Sequence, residues 1–553
     1  MFAPLALGIG YFIFCSVTIS HQYTFDAISY LWDVENTRLT VPLNPETITY
    51  NFFHSQHLLF SLFVYFFYHL WEFVGYHGPA LLPAQVLNLL EGSLTLGIVC
   101  ALLQKITKDT RLSVLCSMLL GCSYAFWDNT AMISDHMASC LLAATFFITL
   151  VKTSIGTSSL KRIAFLGFLS GAAILMHQVN GLLGIMFLGA LSFEKTSFGI
   201  RFKALLTYVI IAGLTATIPY LIVGIVVLEN TTPYDFIFWC FYYAMPGVID
   251  VAGHYGTFSV GKIIDLFTSF GASFVGGFYW MNSVFETRVL QRFGVPILSA
   301  VSLVAFLYIM ARARIVNNQQ GIPELSRKVL RLSAIWFLAY VLLLFWWWPT
   351  YYQLWAVPLV AFVIFVATFV HVKFQSLVQH RLSLQFGLVV LVLSLFTANL
   401  ISAYLPLHDI DTNDYYITTI AIGGSTAPDD VIVIPGNDEY ETYIPYFVKR
   451  KVVSLHAVLI DHLNNIKDSF AEIETKITEA TSSGHDVFIV SELHDSVRTY
   501  ADVYELHHLK NEDVAPFFHT FGIKDTLQTG SLVLYKLGRK LPAKAPRQAR
   551  TVG

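Results

Sequence analysis

Long apolar stretches separated by short polar ones make up the first four hundred residues of the chain. Stretches of this length predict helices that cross a bilayer. We place the spans at 3–20, 82–103, 112–127, 135–151, 163–177, 179–193, 204–228, 293–311, 332–348, 353–370 and 384–404. The pattern predicts a mainly α fold, in which a polytopic membrane domain has about eleven spans.

One further apolar stretch, 54–78, carries a regular polar stripe. Its polar residues recur every three or four positions, at His54, His57, Ser61, Tyr65, Tyr68, Glu72 and Tyr76. This spacing places them on one face of a helix. Such a helix either lies flat in the membrane interface with its polar face toward water, or spans with the stripe facing a cavity.

The basic residues favour the flat helix. Cytoplasmic loops hold an excess of Lys and Arg, and the loops containing Lys105, Lys152 and Lys195 are all cytoplasmic only if 54–78 does not cross. Residues 229–291 are then an external loop on the membrane surface. We therefore expect a multi-pass protein of the plasma (inner) membrane with a cytoplasmic N-terminus.

The composition changes after the last apolar stretch. Short apolar runs at 431–434, 452–458, 487–490 and 531–537 alternate with helical patterns, which indicates a small extracytoplasmic α/β domain. The predicted domains are a membrane domain at 1–404, which includes the first external loop and interfacial helix at 21–78, the soluble domain at 405–538, and a disordered basic tail at 539–553.

Composition excludes some functions. The chain is 55% hydrophobic and 13% charged, against about 25% charged in a soluble domain. Its net charge of -3 and the lack of a basic stripe argue against a nucleic-acid partner. The six cysteines lie in apolar or aromatic runs, without zinc-site spacing.

Asp26 follows the first span directly and is the first candidate for chemistry. A carboxylate beside a membrane helix is costly unless it is paired or functional, and at the outer surface it can act as a general base. It can equally be a loop acid or a helix cap.

Other candidates fall at the predicted outer ends of spans. Asp135 and His136 begin one span, the hairpin turn carries His177, Tyr351 and Tyr352 precede another, and His54 and His57 head the striped helix. Helix capping and aromatic anchoring explain several of them equally well. Three external cations could pair with a phosphate, namely Lys262, Arg288 and Arg292.

The order of these elements resembles a known family. An acid follows the first span, a histidine heads the interfacial helix, a second acid opens the fourth span, and Tyr352 precedes Pro358 at the start of a late span. This order is similar to that of GT-C glycosyltransferases, especially the dolichyl-phosphate-mannose protein mannosyltransferases and the aminoarabinose transferases. The resemblance covers roughly residues 1–400.

The resemblance implies transfer of one sugar from a polyprenyl-phosphate donor to a glycan, lipid or protein acceptor on the outer face. Asp26 would be the general base, and the other candidates, His54, His57, Asp135, His136, His177, Tyr351 and Tyr352, would bind substrate. Some relatives use a divalent metal, but this sequence shows no clear set of ligands for one, and no cofactor is assigned. The alternatives are a transporter or flippase for a lipid-linked saccharide, and a non-catalytic envelope-assembly protein.

Overall fold

The computed structural model describes residues 2–39, 47–49, 52–156, 159–230, 232–241, 259–276, 295–315, 322–374, 378–436, 438–462, 464–495, 507 and 509–540. The contacts divide the chain into two compact units. The first comprises Met1–Gln22 and Asp33–Asp409, and the second comprises Tyr23–Trp32 and Ile410–Gly553. Most of the tail predicted to be disordered, 541–553, lies outside the described residues.

Helices build the first unit. They are α1 Phe2–Val17, α2 Phe25–Asn36, whose first part belongs to the second unit, α3 Phe60–Phe73, α4 Leu81–Thr107, α5 Thr110–Gly121, α6 Tyr124–Ala131, α7 His136–Lys152, α8 Leu160–Met176, α9 Leu183–Phe193, α10 Phe198–Leu221, α11 Pro233–Phe241, α12 Val260–Phe274, α13 Val295–Ile315, α14 Glu324–Trp346, α15 Ala356–Phe374, α16 Val378–Asn399 and α17 Leu405–His408. Short 3-10 turns at Ser55–His57, Gln178–Leu182 and Tyr352–Trp355, and π-helical turns at Ile222–Val227 and Leu400–Tyr404, interrupt or extend them.

The chain is an integral membrane protein by the length and apolar character of its helices. Five described helices are long and apolar enough to cross a bilayer, and the bent pair α6 and α7 makes up to six. Four further apolar helices are shorter, among them Phe2–Val17 and Thr110–Gly121. The predicted total of about eleven spans is therefore not confirmed.

The striped segment forms a helix shorter than its apolar run. Helix α3 has 14 residues, which is about 21 Å at 1.5 Å per residue, against about 30 Å for the hydrocarbon core of a bilayer. Phe63, Phe66 and Leu70 are exposed along it, while Phe60 and Val64 are buried. A flat orientation for this helix stays a prediction.

The stretch between the predicted spans 112–127 and 135–151 is buried. Helix α5 ends at Gly121, α6 covers Tyr124–Ala131 with every residue buried, and α7 begins after a bend of 117°. The bend is stable because side chains satisfy the backbone groups that it frees. Asn88 Nδ2 donates to the Ser134 and Asn129 carbonyls at 2.6 and 3.2 Å.

Basic residues in the first unit collect at one end of the helices. They lie in the last turn or C-cap of α4, the last turns of α7 and α15, and the first turns of α8 and α14, at Lys105, Lys108, Lys152, Lys161, Arg162, Arg327, Lys328, Arg331 and Lys373. The opposite ends of the same helices are Leu81, His136, Met176, Trp346 and Ala356. The basic residues thus predict which end of each of these helices faces the cytoplasm.

The second unit contains one five-stranded sheet. Its strands are β1 Val431–Ile434, β2 Lys451–Ser454, β3 Val487–Val490, β4 Phe521–Thr529 and β5 Leu532–Lys540, in the order β2-β1-β3-β5-β4. β1 pairs in parallel with β2 and β3, and β5 is antiparallel to β3 and β4. The helices are α18 Asp414–Ser425, α19 Tyr440–Val448, α20 Leu455–Asp461, α21 Ile466–Ser482, α22 Ser491–Asp495 and α23 Asn511–Phe518, with a 3-10 turn at Ile410–Thr412.

Two details of this sheet differ from the sequence pattern. The strand predicted at 452–458 stops at Ser454, whose hydroxyl accepts from the Ala457 N–H at 3.1 Å and caps α20. Strand β4 was not predicted, because its exposed positions between Phe521 and Thr529 are mostly polar and the segment has no continuous apolar run. The α/β class of the domain holds.

The charge pattern predicts opposite accessibility for the two ends of α4. In intact cells, an impermeant thiol reagent should label His77→Cys and leave Lys108→Cys unlabelled, because positive loops stay cytoplasmic. Both positions are exposed and all six native cysteines are buried, so background labelling is low. Equal labelling of the two variants would contradict the predicted topology.

Candidate functional site

His177 lies at the centre of a buried polar cluster in the first unit. It ends α8, where its N–H donates to the Ala173 carbonyl at 2.9 Å, and it begins the 3-10 turn Gln178–Leu182. Its Nδ1 accepts a hydrogen bond from the Val179 N–H at 3.3 Å. In the neutral ring, the proton is therefore on Nε2.

Asp135 and His136 approach His177 from the bend between α6 and α7. Asp135 Oδ2 is 3.8 Å from His177 Nε2, and Asp135 Oδ1 is 3.6 Å from His136 Nδ1. The two imidazole rings are 5.1 Å apart. His136 is 1% exposed, and neither of its ring nitrogens has a hydrogen-bond partner among the described residues. Such a group calls for a ligand or ion that completes its bonding.

His54 and His57 extend the cluster. Their rings stack at 4.2 Å, and the His57 ring is 6.5 Å from that of His177. Burial lowers the pKa of His54 to about 4. Burial, followed by the neighbouring histidines, holds the pKa of His57 well below its usual range. Both rings are therefore neutral at pH 7.

The turn that carries these two histidines is tied to three other elements. Gln178 Nε2 lies within hydrogen-bond distance of three acceptors, the Ser55 carbonyl at 2.9 Å, Tyr220 Oη at 3.0 Å and the Cys240 carbonyl at 2.9 Å. Tyr220 Oη in turn donates to the Ser55 carbonyl at 2.5 Å. This network fixes the separation between His57 and His177.

Of the two candidate tyrosines, Tyr351 lies at the cluster. Its ring is 6.1 Å from that of His136, and its hydroxyl donates to Gln353 Oε1 at 2.7 Å. Tyr352 faces another way and stacks on Tyr124 at 5.5 Å. The first unit thus brings together His54, His57, Asp135, His136, His177 and Tyr351.

Asp26 belongs to the second unit. It lies in the first turn of α2 and is exposed. Thr24 begins this helix, since its carbonyl accepts from the Ile28 N–H at 3.2 Å and its hydroxyl accepts from the Ala27 N–H at 3.2 Å. Of the three candidate cations, Lys262 is described, whereas Arg288 and Arg292 lie outside the described residues.

An apolar groove reaches the cluster. Its volume is about 590 Å³, and it is lined mainly by α10, α11 and the end of α14. Phe236, Leu343, Trp346 and Trp347 supply apolar walls, and His177 with Gln178 forms a polar edge. A ligand with a long apolar part and a polar head fits such a groove.

No protein-family model matches the chain, and no curated protein matches it significantly. The archaeal oligosaccharyltransferase AglB from Archaeoglobus fulgidus, in complex with an inhibitory peptide and a dolichol-phosphate, is 13% identical over 97% of this chain and 74% of its own, with a TM-score of 0.48. ArnT from Cupriavidus metallidurans, bound to undecaprenyl phosphate, is 11% identical over 96% of this chain and 97% of its own, with a TM-score of 0.44. Both neighbours are GT-C glycosyltransferases.

Sequence reasoning missed several residues that shape the site. Asn88, Gln178 and Tyr220 hold its backbone, and Glu91 is a buried carboxylate on α4, one turn from Asn88. Polar residues within an apolar run were the available signal for all of them. Their partners lie far away in sequence, so the signal did not indicate what they hold.

The cluster suits a divalent metal in donor type and spacing. One ligand atom from each of Asp135, His136 and His177 lies within 4.8 Å of the others, and two imidazoles with a carboxylate are common ligands of zinc, manganese and iron. The unpartnered nitrogens of His136 agree with this. His177 fits less well, because its Nε2 carries the proton while Nδ1 accepts from Val179.

Because His177 fits a metal less well than His136 does, substitutions in the cluster should weaken metal binding to different degrees. Asp135→Asn and His136→Gln should each weaken Zn²⁺ binding about tenfold or more, within the range reported for changes at metal sites, and His177→Gln should weaken it less. Isothermal titration of the purified protein measures the three affinities. His462→Gln is the control, since His462 contacts Glu472 in the second unit. Unchanged affinity in Asp135→Asn would contradict the site.

Proposed function

We propose that the chain transfers a single sugar from a polyprenyl-phosphate-linked donor to a glycan, lipid or protein acceptor on the extracytoplasmic face, with Asp26 as general base. One observation supports the donor class: His177, which belongs to a buried cluster of neutral histidines and one acid, also lines an apolar groove. The acceptor side rests on the resemblance of the sequence to GT-C enzymes.

The groove accounts for the lipid part of the donor. Its walls are almost entirely apolar and its volume of about 590 Å³ holds several isoprene units. His177 and Gln178 line the groove, so a phosphate at the head of the lipid would meet polar groups there. We propose that the polyprenyl tail lies in the groove and that the phosphate lies at His177.

Lys262 is the cation best placed for that phosphate. It is 4% exposed, and its Nζ donates to the carbonyl of Trp346, which lines the groove, at 3.3 Å. Most other described Lys and Arg side chains of the first unit lie toward the opposite ends of the helices, and Arg38 is exposed. A buried ammonium beside an apolar groove favours an anionic ligand.

The proposed reaction is an inverting displacement at the anomeric carbon. The acceptor oxygen bonds to that carbon, the bond from the carbon to the phosphate oxygen breaks, and the acceptor proton passes to Asp26. The leaving phosphate gains charge, which Lys262 and imidazole N–H groups would stabilise. A metal held by Asp135 and His136 would supply further positive charge for that phosphate.

The location of the cluster favours this enzyme over a transporter. A transporter binds its substrate near the middle of the membrane, commonly on broken helices. Here the clustered histidines lie near helix termini, opposite the basic ends. Glu91 is an exception to this location, because it is a carboxylate buried within α4. Its neighbour Asn88, however, hydrogen-bonds to the backbone at the bend that carries Asp135.

Asp26→Asn should lower the rate of sugar transfer about 10²–10⁴-fold, the usual cost of removing a general base, while the protein still inserts and folds. The readout is mass spectrometry of envelope glycans in a deletion strain that expresses each variant. Asp414→Asn is a matched control, since Asp414 is also an exposed acid in the first turn of a helix. Full transfer by Asp26→Asn would sink the proposal.

Lys262→Met should weaken binding of undecaprenyl phosphate about tenfold or more and leave binding of undecaprenol unchanged, because a hydrogen bond to a charged group contributes about 1.5–3 kcal/mol. Native mass spectrometry in detergent measures both affinities. Lys203→Met, at an exposed lysine of α10, should bind both lipids as the wild type does. Equal losses for the two lipids would show that Lys262 shapes the groove and does not bind phosphate.

A further inference from the structure

A buried tyrosine of the C-terminal domain binds the backbone next to Asp26. Tyr443, on α19, is 1% exposed. Its hydroxyl donates to the Tyr23 carbonyl at 2.7 Å and accepts from the Tyr23 N–H at 3.0 Å. It also accepts from Asn413 Nδ2 at 3.2 Å. One hydroxyl thus fixes both backbone polar groups of Tyr23.

Ring contacts strengthen this attachment. The Tyr23 ring lies 6.3 Å from that of Tyr443 and 6.0 Å from that of Phe447. At the other end of the same short segment, the Lys449 ammonium lies 5.2 Å from the centre of the Trp32 ring, within the range of a cation–π contact. The sequence from Tyr23 to Trp32 is therefore held by the C-terminal domain at both ends.

We propose that Tyr443 is a positioning residue for Asp26, and that holding this segment is a role of the C-terminal domain. The path is short. Tyr443 fixes Tyr23, the next residue Thr24 begins α2 through its carbonyl and hydroxyl, and Asp26 lies in the first turn of that helix. The catalytic consequence rests on the proposed function, whereas the attachment itself does not.

Position matters more for Asp26 than for a structural acid. A general base must lie within hydrogen-bond reach of the proton that it removes, and a misplacement of about 1 Å costs up to about a hundredfold in rate. Asp26 lies in the first turn of α2, so the helix start that Tyr23 and Thr24 define sets the position of its backbone. Loss of the Tyr443 hydroxyl would loosen that start.

Tyr443→Phe removes the hydroxyl and keeps the ring contacts. We expect kcat for sugar transfer to fall about tenfold to a hundredfold, with little change in KM for the donor. Tyr440→Phe is the matched control. Tyr440 lies on the same helix and is also buried, but its hydroxyl bonds to Ser531 Oγ at 3.0 Å and not to the segment. It should retain wild-type kcat.

Combination with Asp26→Asn separates positioning from general damage. If Tyr443 acts through Asp26, the double variant should be no slower than Asp26→Asn alone, because the group being positioned is already gone. A further loss in the double variant that matches the loss from Tyr443→Phe alone would overturn the positioning role.

Hydrogen exchange of the full-length protein in detergent gives a readout that does not depend on activity. Tyr443→Phe should raise exchange in a peptide covering 23–32, and Tyr440→Phe should not. Faster exchange in Tyr443→Phe together with full transfer by Asp26→Asn would support the attachment and contradict the proposed function. Unchanged exchange and unchanged kcat in Tyr443→Phe would overturn the inference while leaving the proposed function intact.

Discussion

The site of the first unit depends on backbone groups that are buried where helices break. In an apolar bundle, water does not satisfy the N–H and C=O groups that a break frees, so side chains must. Asn88 does this at the bend before Asp135, and Asn180 donates to the Ala173 carbonyl at 2.9 Å where α8 ends at His177. The amides that stabilise the breaks therefore also set the directions of the functional side chains.

The helices also have a chemical polarity from end to end. Lysine and arginine collect at one set of ends, and the clustered histidines with Asp135 lie at the other. The desolvation cost of an ion keeps charge out of the middle of a span, so the site residues gather where helices begin or end. Lys262 is an exception to this pattern. Its position beside the groove therefore supports the proposed phosphate site.

The sequence predicted those features that depend on local pattern. Polar residues at the ends of apolar runs identified Asp135, His136 and His177, and alternating strands and helices identified the α/β domain. The features that the sequence did not predict depend on contacts between residues that are far apart along the chain. The bend between α6 and α7 is stable because of Asn88, and the Tyr23 backbone bonds to a hydroxyl 420 positions away. The set Asp135, His136 and His177 likewise has no spacing signal, since the fold alone brings its members together.

The protonation of the histidines bears on how the proposed phosphate site would bind an anion with few cations. Backbone N–H groups point at Nδ1 of His54, from Gln56, and at Nδ1 of His177, from Val179, each at 3.3 Å. Each neutral ring must then carry its hydrogen on Nε2 and present it as a donor. A neutral donor costs less to bury in an apolar bundle than an ammonium does. In the proposed phosphate site, fixed imidazole N–H groups would then take the place of arginine, with Lys262 as the single buried lysine or arginine among the described residues.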